Sequence, residues 1–294
     1  MIGESDLRTE AEMLELILNF AHDNDDIRAV IMNGSRVNPN AKKDPFQDYD
    51  IVYLVRSVEP FKKNREIVRY FGDILILQIP EDMGDPPAEN DGGYGYLMQF
   101  MDGNRIDLGF CPIQDAQRCV ADTLPVVLLD KDNRIGQLPP PSDRGYLPQR
   151  PTAKVFEDCC NEFWWLNPYV AKGLWRDQLT YARYMLDTLM RGQLMKILTW
   201  YYGLKTGFQK SPGYLGKYLK GVVGEDIWAM LERTYSDARP EAAWQALFVM
   251  DDLFRQVSQA VACSFGFTYP EQDDRNVSDY IRRIQALPMD AQTL

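Results

Sequence analysis

Apolar and polar positions follow one rhythm in the first half of this chain and another in the second. Near the start, Leu14, Ile17, Leu18 and Ala21 recur at helical spacing behind the Thr9-x-x-Glu12 capping pattern. They predict a helix over about residues 8–23. Short β-rich runs follow at 27–32 and 48–55, then a helical stretch at 61–71 and an apolar strand at 74–79 closed by Pro80. Residues 86–93, with Pro86-Pro87 and Gly92-Gly93, read as loop. The runs at 94–101 and 105–111 are joined by Asp102-Gly103-Asn104, a hairpin signal, and a last short strand lies at 126–129. The first half is therefore expected to be a mixed sheet with a few helices.

The rhythm changes after residues 136–151, which hold Pro139, Pro140, Pro141, Pro148 and Pro151 and read as a linker. Helical periodicity then runs through 152–170, 179–204, 227–235, 241–265 and 277–286. Pro168 should kink the first of these helices or end it near Asn167. The predicted organisation is an α/β (α+β) domain over 1–135, a Pro-rich linker over 136–151 and an all-α helical bundle over 152–294. No internal repeat or low-complexity tract interrupts it.

Composition narrows the partners. The 294 residues suffice for two domains, and 45% hydrophobic with 12% aromatic content suits packed cores rather than disorder. A net charge of −11 argues against a nucleic-acid backbone as partner, because phosphate binding needs basic clusters. The charge is compatible with a polycationic substrate, although acidic proteins are common whatever they bind. The early acids Glu4, Asp6, Glu10 and Glu12 leave no apolar signal core. No apolar run approaches the ~20 residues that span a membrane. Cys111, Cys119, Cys159, Cys160 and Cys263 are odd in number and contain no C-x-x-C, so neither a disulfide framework nor a zinc site is indicated. The expectation is a reduced, cytoplasmic monomer. The single histidine, His22, sits where a helix C-terminus favours it, which leaves mechanisms built on a Ser–His or Cys–His pair without their base.

The chemistry concentrates in residues 33–54. A Gly34-Ser35 turn follows the first strand, and Asp48-Tyr49-Asp50 opens the second. Alternate strand residues share a face, so Asp48 and Asp50 point one way while Tyr49 and Ile51 enter a core. Adjacent carboxylates repel unless something neutralises them, and the usual neutraliser is a hard dication such as Mg²⁺. Gly34 permits close backbone approach, and Ser35 can hold a phosphate. Asp107, flanked by apolar residues in a strand, supplies a third carboxylate where an unpaired buried charge would be costly. It can bind metal or accept a proton from an attacking hydroxyl. Arg36 can pair with a phosphate or with a nearby acid. Lys42 and Lys43 read as solvated charges.

Beyond the linker, Asp158, Glu162, Trp165, Tyr169, Lys172 and Arg176 follow intervals of four, three, four, three and four. On an unbroken helix they form one stripe with acids at one end, aromatics in the middle and bases at the other. Such a stripe is either an ordinary ion-paired surface or a face that holds an ammonium-rich molecule. Trp164 and the aromatics around Trp200-Tyr201-Tyr202 read as core.

The pattern Gly34-Ser35, a gap of about a dozen residues, then Asp48-Tyr49-Asp50-Ile51 resembles the polymerase-beta-type nucleotidyltransferase superfamily. A closer resemblance is to its aminoglycoside 6-adenylyltransferase branch, the streptomycin-modifying enzymes. It rests on G-S-R-V-N from Gly34, F-Q-D-Y-D-I from Phe46, D-G-N-R-I-D-L from Asp102, L-L-D-K-D from Leu128, R-P-T-A-K-V-F-E-D-C-C-N-E-F-W-W from Arg150 and Y-V-A-K-G-L-W-R from Tyr169. The resemblance implies a nucleotidyltransferase-fold domain and a helical domain with the active site in the cleft between them. It implies AMP transfer from Mg²⁺-ATP to an aminoglycoside hydroxyl, in antibiotic resistance, with streptomycin and its 6-hydroxyl as acceptor. Asp48, Asp50 and Asp107 would be the metal and catalytic carboxylates. Gly34, Ser35, Arg36 and Lys172 would hold nucleotide, and Asp158, Glu162 and Trp165 substrate. Two other readings stay open: transfer to another small alcohol such as a lincosamide, and a catalytically silent nucleotide-binding or antitoxin-like protein on the same fold.

Overall fold

The capping box at Thr9 forms in both directions. The Thr9 hydroxyl accepts from the Glu12 amide (3.3 Å), and the Glu12 carboxylate accepts from the Thr9 amide (2.7 Å). In the computed structural model, which describes residues 7–87 and 91–293, this cap starts α1 (Glu10–His22). Glu4, Asp6 and the middle of the 86–93 loop lie outside the described residues. The chain divides into two compact units, Met1–Gly145 and Tyr146–Leu294.

In the first unit, β1 (Ile27–Asn33), β2 (Tyr49–Val55), α2 (Glu59–Lys63), β3 (Ile74–Gln78), β4 (Tyr94–Phe100), β5 (Arg105–Pro112), α3 (Ala116–Cys119) and β6 (Val126–Asp130) follow α1. The strands make a six-stranded mixed sheet in the order β3-β4-β5-β2-β1-β6. Only the central β2–β5 pair is parallel; the other pairings are antiparallel. Strand alternation gives the sheet two different faces. One carries Tyr49, Ile51, Tyr53, Ile106, Leu108 and Phe110 into the core beneath Met13, Ile17 and Ala21 of α1. The other carries Ala29, Ile31, Leu54 and Cys111 against Ala116 and Ile135. This second core is small, and it leaves the beginnings of β2 and β5 on the same face for polar residues.

One expectation changes here, and the structure adds detail that the pattern did not hold. The helix anticipated at 61–71 breaks at Asn64, whose backbone leaves the helical region (φ −101°, ψ 80°). A 3₁₀ segment (Arg65–Phe71) replaces the rest and still buries Ile67, Val68 and Phe71. The apolar run at 74–79 is an edge strand with Ile76 67% exposed, because edge position is a property of topology rather than composition. Cys111 and Cys119, which carry no recognisable spacing, meet with their sulfurs 2.6 Å apart. Residues after 136 continue to pack on this unit: the Ser142 amide donates to the Thr123 carbonyl (2.7 Å) and Leu138 joins the second core.

The second unit is helical: α4 (Ala153–Trp175), α5 (Leu179–Tyr184), α6 (Arg191–Thr206), α7 (Glu225–Arg233), α8 (Pro240–Phe265) and α9 (Glu271–Ala286). A π-helical segment, Met185–Met190, joins α5 to α6, so the run expected at 179–204 is one continuous helical path. α9 begins several residues earlier than its apolar pattern does. α4 passes through Pro168 without ending. An interior proline costs about 3 kcal/mol of helix stability. Here the burial of Phe163, Trp164, Leu166, Val170 and Leu174 in one core outweighs that cost. Phe163 stacks flat on Phe254 of α8 (3.7 Å), and Asn167 donates to buried Asp251. Among the described residues no helix is long and apolar enough to cross a membrane.

Between α8 and α9, Arg255 grips buried Asp274 with two hydrogen bonds of 2.6 Å, and the Tyr269 hydroxyl adds a third at 2.8 Å. Burial opposes ionisation of Asp274, yet these donors hold its carboxyl below the ordinary range. Asp274→Ala should therefore destabilise the protein by about 3–5 kcal/mol in urea unfolding. A loss under about 1 kcal/mol would show that the pair is replaceable by solvent.

Candidate active site

Gly34 follows β1 at φ +77°, a left-handed conformation. A Cβ placed there would fall 1.8 Å from the Oδ2 atom of Asp50. The turn therefore requires glycine twice over, for its backbone angle and for the carboxylate pressed against it. The loop that follows is closed by side chains. Gln47 Nε2 donates to the Ser35 carbonyl (3.1 Å), while Arg36 donates to the carbonyls of Asp48 (3.1 Å) and Gln47 (2.8 Å). The Arg36 guanidinium also lies over the Tyr49 ring at 3.6 Å and is only 11% exposed. It thus fastens the backbone that carries Asp48, with Glu10 as a more distant partner at 3.9 Å.

The parallel β2–β5 register sets Asp50 directly beside Asp107, and the antiparallel β1–β2 register sets Asn33 on the other side of Asp50. Asp48 lies two residues before Asp50, on the same face. Arg105 reaches the same place from the start of β5. It donates from Nε and Nη2 to both oxygens of Asp107 (2.7 and 2.8 Å), and its Nε lies 3.6 Å from Asp48. Asp50 receives no such bond. Burial first, and then repulsion from Asp107 and Asp48, push its carboxyl up to about 6. Burial also raises Asp48, aided by Asp107 and opposed by Arg105.

These groups are hard oxygen donors of the kind a divalent cation of the Mg²⁺ class takes. The Asn33 Oδ1 atom, buried and without a hydrogen-bond partner, adds a further polar oxygen on the strand beside Asp50. As the side chains stand, however, no three acidic, histidine or cysteine groups among the described residues converge as a ligand set. The donors fit a dication in kind, and their present arrangement is organised around Arg105. Arg105 and Gln47 escaped the sequence reading. The signal for Arg105 was present, since Arg105-Ile106-Asp107 places the guanidinium and the carboxylate on one strand face.

In the second unit the unbroken α4 makes the stripe continuous. Asp158, Glu162, Trp165 and Tyr169 are exposed along it, and Trp165 is 63% exposed with its ring 6.4 Å from that of Tyr169. Asp158 is paired with Lys154 one turn earlier. Lys172 lies 5.8 Å from the Tyr280 ring and lines a cavity of about 220 Å³ with Trp175, Arg176 and Leu287. Gly34, Ser35, Arg36, Asp48, Asp50 and Asp107 thus gather in the first unit, and Asp158, Glu162, Trp165 and Lys172 follow one helix of the second.

Comparison with known proteins gives this arrangement a context. Residues 7–284 match the family model described as streptomycin adenylyltransferase. The aminoglycoside 6-adenylyltransferase of Bacillus subtilis (strain 168) is 40% identical over 270 residues, 91% of this chain and 95% of that protein. That of Campylobacter jejuni is 40% identical over 279 residues, covering 94% and 96%. That of Staphylococcus aureus is 34% identical over 278 residues, covering 94% and 98%. A crystal structure of an aminoglycoside 6-adenyltransferase from Bacillus subtilis aligns over 96% of this chain and 100% of its own, at 36% identity and a TM-score of 0.48.

Two outcomes follow from the geometry. Gly34→Ala drives a methyl group into the Asp50 carboxylate, and if Asp50 takes part in the reaction a displacement of about 1 Å can cost roughly 10²-fold in rate. Its kcat should fall by about that factor; a variant within twofold of wild type would mean that Asp50 is free to move. In metal-free protein, Asp50 is harder to ionise folded than unfolded. Its cost to stability is absent below about pH 4, grows as pH rises to about 6 and is constant above. Asp50→Asn should therefore stabilise the metal-free protein by on the order of 2 kcal/mol at pH 8 and by almost nothing at pH 4. Chemical denaturation in the presence of chelator at both pH values checks this, and an equal effect at both would refute it.

Proposed function

The chain belongs to the streptomycin adenylyltransferase family, and from that premise we propose that it transfers AMP from Mg²⁺-ATP to an aminoglycoside hydroxyl, releasing pyrophosphate. The acceptor we assign is streptomycin at its 6-hydroxyl, in line with the names of the family and of the relatives. The observation that carries the reading is the register of β2 on β5, which sets Asp50 beside Asp107, with Gly34 packed against Asp50. It supports a metal–triphosphate site on one polar face of a rigid sheet.

Asp48, Asp50 and Asp107 would hold the cation, which would stabilise negative charge on the reacting phosphoryl group. The turn at Gly34 and Ser35 offers its backbone to the triphosphate. Arg36 serves the nucleotide through the loop it fastens, holding the carbonyls of Gln47 and Asp48. Asp107 acts as ligand or as base toward the attacking hydroxyl. Lys172 binds triphosphate oxygens. Asp158 and Glu162 hold the ammonium or guanidinium groups of the drug through charge-assisted hydrogen bonds, and Trp165 provides a flat wall. The work takes place in the cytoplasm, by a monomer; free thiols throughout suit a reducing compartment.

Pyrophosphate release by purified protein with ATP, Mg²⁺ and streptomycin tests this, beside Asp50→Asn. Release that depends on streptomycin and is lost in the variant is the expected result. Tight Mg²⁺-ATP binding without release would retain the nucleotide site and remove streptomycin as the acceptor.

A further inference from the structure

Three carboxylates on one sheet face repel one another unless a cation or a proton offsets their charge. Arg105 supplies such a cation. Its guanidinium donates to both oxygens of Asp107 and comes within 3.6 Å of Asp48. The other cation acting on Asp48 and Asp50 is Arg36, and its donors are engaged by the carbonyls of Gln47 and Asp48.

We propose that Arg105 is the resident counter-cation of the carboxylate trio: it holds Asp107 and Asp48 in the metal-free enzyme, competes with the divalent cation for them, and turns to the triphosphate once the cation has taken its place. The inference rests on the metal-site reading given above.

Four observations support it. Both Asp107 oxygens already accept from one planar group, and a dication bonded to the same oxygens at about 2 Å would lie against that group's own positive charge. Arg105 is 39% exposed at the first position of β5, so its side chain can swing away without opening the core. The acids do not converge as a ligand set while Arg105 is among them. One guanidinium facing three acids leaves the face net negative, and its bonds go to Asp107 and its nearest approach to Asp48, not to Asp50. A dication is therefore still drawn in, and the displaced guanidinium keeps its charge and its donors for phosphate oxygens.

Mn²⁺ titration of nucleotide-free protein at pH 8, followed by the loss of the free-ion electron paramagnetic resonance signal, tests this on wild type, Arg105→Gln, Arg105→Lys and Asp50→Asn. Arg105→Gln should bind Mn²⁺ about tenfold more tightly than wild type, with its KM for ATP raised. Arg105→Lys keeps the charge but not the two-pronged grip and should fall between them; it also serves if the glutamine variant fails to fold. A merely structural arginine would lower thermal stability and leave Mn²⁺ affinity unchanged or weaker, and that result overturns the proposal. If wild type binds no Mn²⁺, or Asp50→Asn binds it equally well, the metal-site reading itself falls. If Asp50→Asn weakens binding while Arg105→Gln does not tighten it, only the role of Arg105 falls.

Discussion

The structure of the candidate site depends on repulsion between acids held too close by a sheet. The parallel pairing of β2 with β5 leaves Asp50 and Asp107 no choice of distance, because their backbones are fixed by the ladder on either side. Asp48 follows on the same face. Much of what surrounds them responds to that charge. Arg36 fastens the backbone beneath Asp48, Arg105 clasps Asp107, and Gly34 lies against Asp50 with no room for a side chain. The carboxyl that receives no ion-pair bond is the one pushed up to about 6. A hydrophobic face on the opposite side of the same strands keeps the arrangement rigid, since Tyr49, Ile51, Ile106 and Leu108 alternate with the acids and are fully buried.

The sheet thus works as a board with one dry side. Its dry side is closed by α1, whose apolar stripe covers β1 and β2. Its other side is covered only where Ala29, Ile31, Leu54 and Cys111 meet Ala116 and Ile135. The boundary between that small core and the acids lies within β2 and β5 themselves. In the second unit α4 plays a comparable part. Its inner face is locked by Phe163 on Phe254, and the lock holds the outer face straight, so that Glu162, Trp165 and Tyr169 are displayed along a continuous line.

Local rules made part of this legible in the sequence. Thr9 and Glu12 announced α1, and strand alternation placed Asp48 with Asp50 and separated them from Tyr49. The mixed sheet followed by a helical unit was readable from the two rhythms of the chain. The facts that escaped depend on distant residues. Nothing local to residues 48–55 or 105–111 says that these strands run parallel and adjacent, so the contact of Asp50 with Asp107 is topological. Pro168 predicted a break, and burial supplied by α8 overruled it. Asn64 broke a helix that its apolar neighbours would have continued. The run at 74–79 read as a strand, but nothing in it says that β3 lies at the sheet edge with Ile76 exposed.

Arg105 also bears on the role left open for Asp107. A carboxylate can bind a metal or accept a proton only through lone pairs that are available to do so. In this structure both Asp107 oxygens accept from Arg105. Those two bonds occupy one lone-pair site on each oxygen, so either role has to compete with the guanidinium. Asp50 faces no such competition: it lies against Gly34, opposite Asp107 and beside an unpartnered Asn33 oxygen, with its charge only partly opposed. The two aspartates that face each other in register are consequently unequal. Under the proposal for Arg105, Asp50 would be the acid open to a dication, while Asp107 would have to exchange the guanidinium for it.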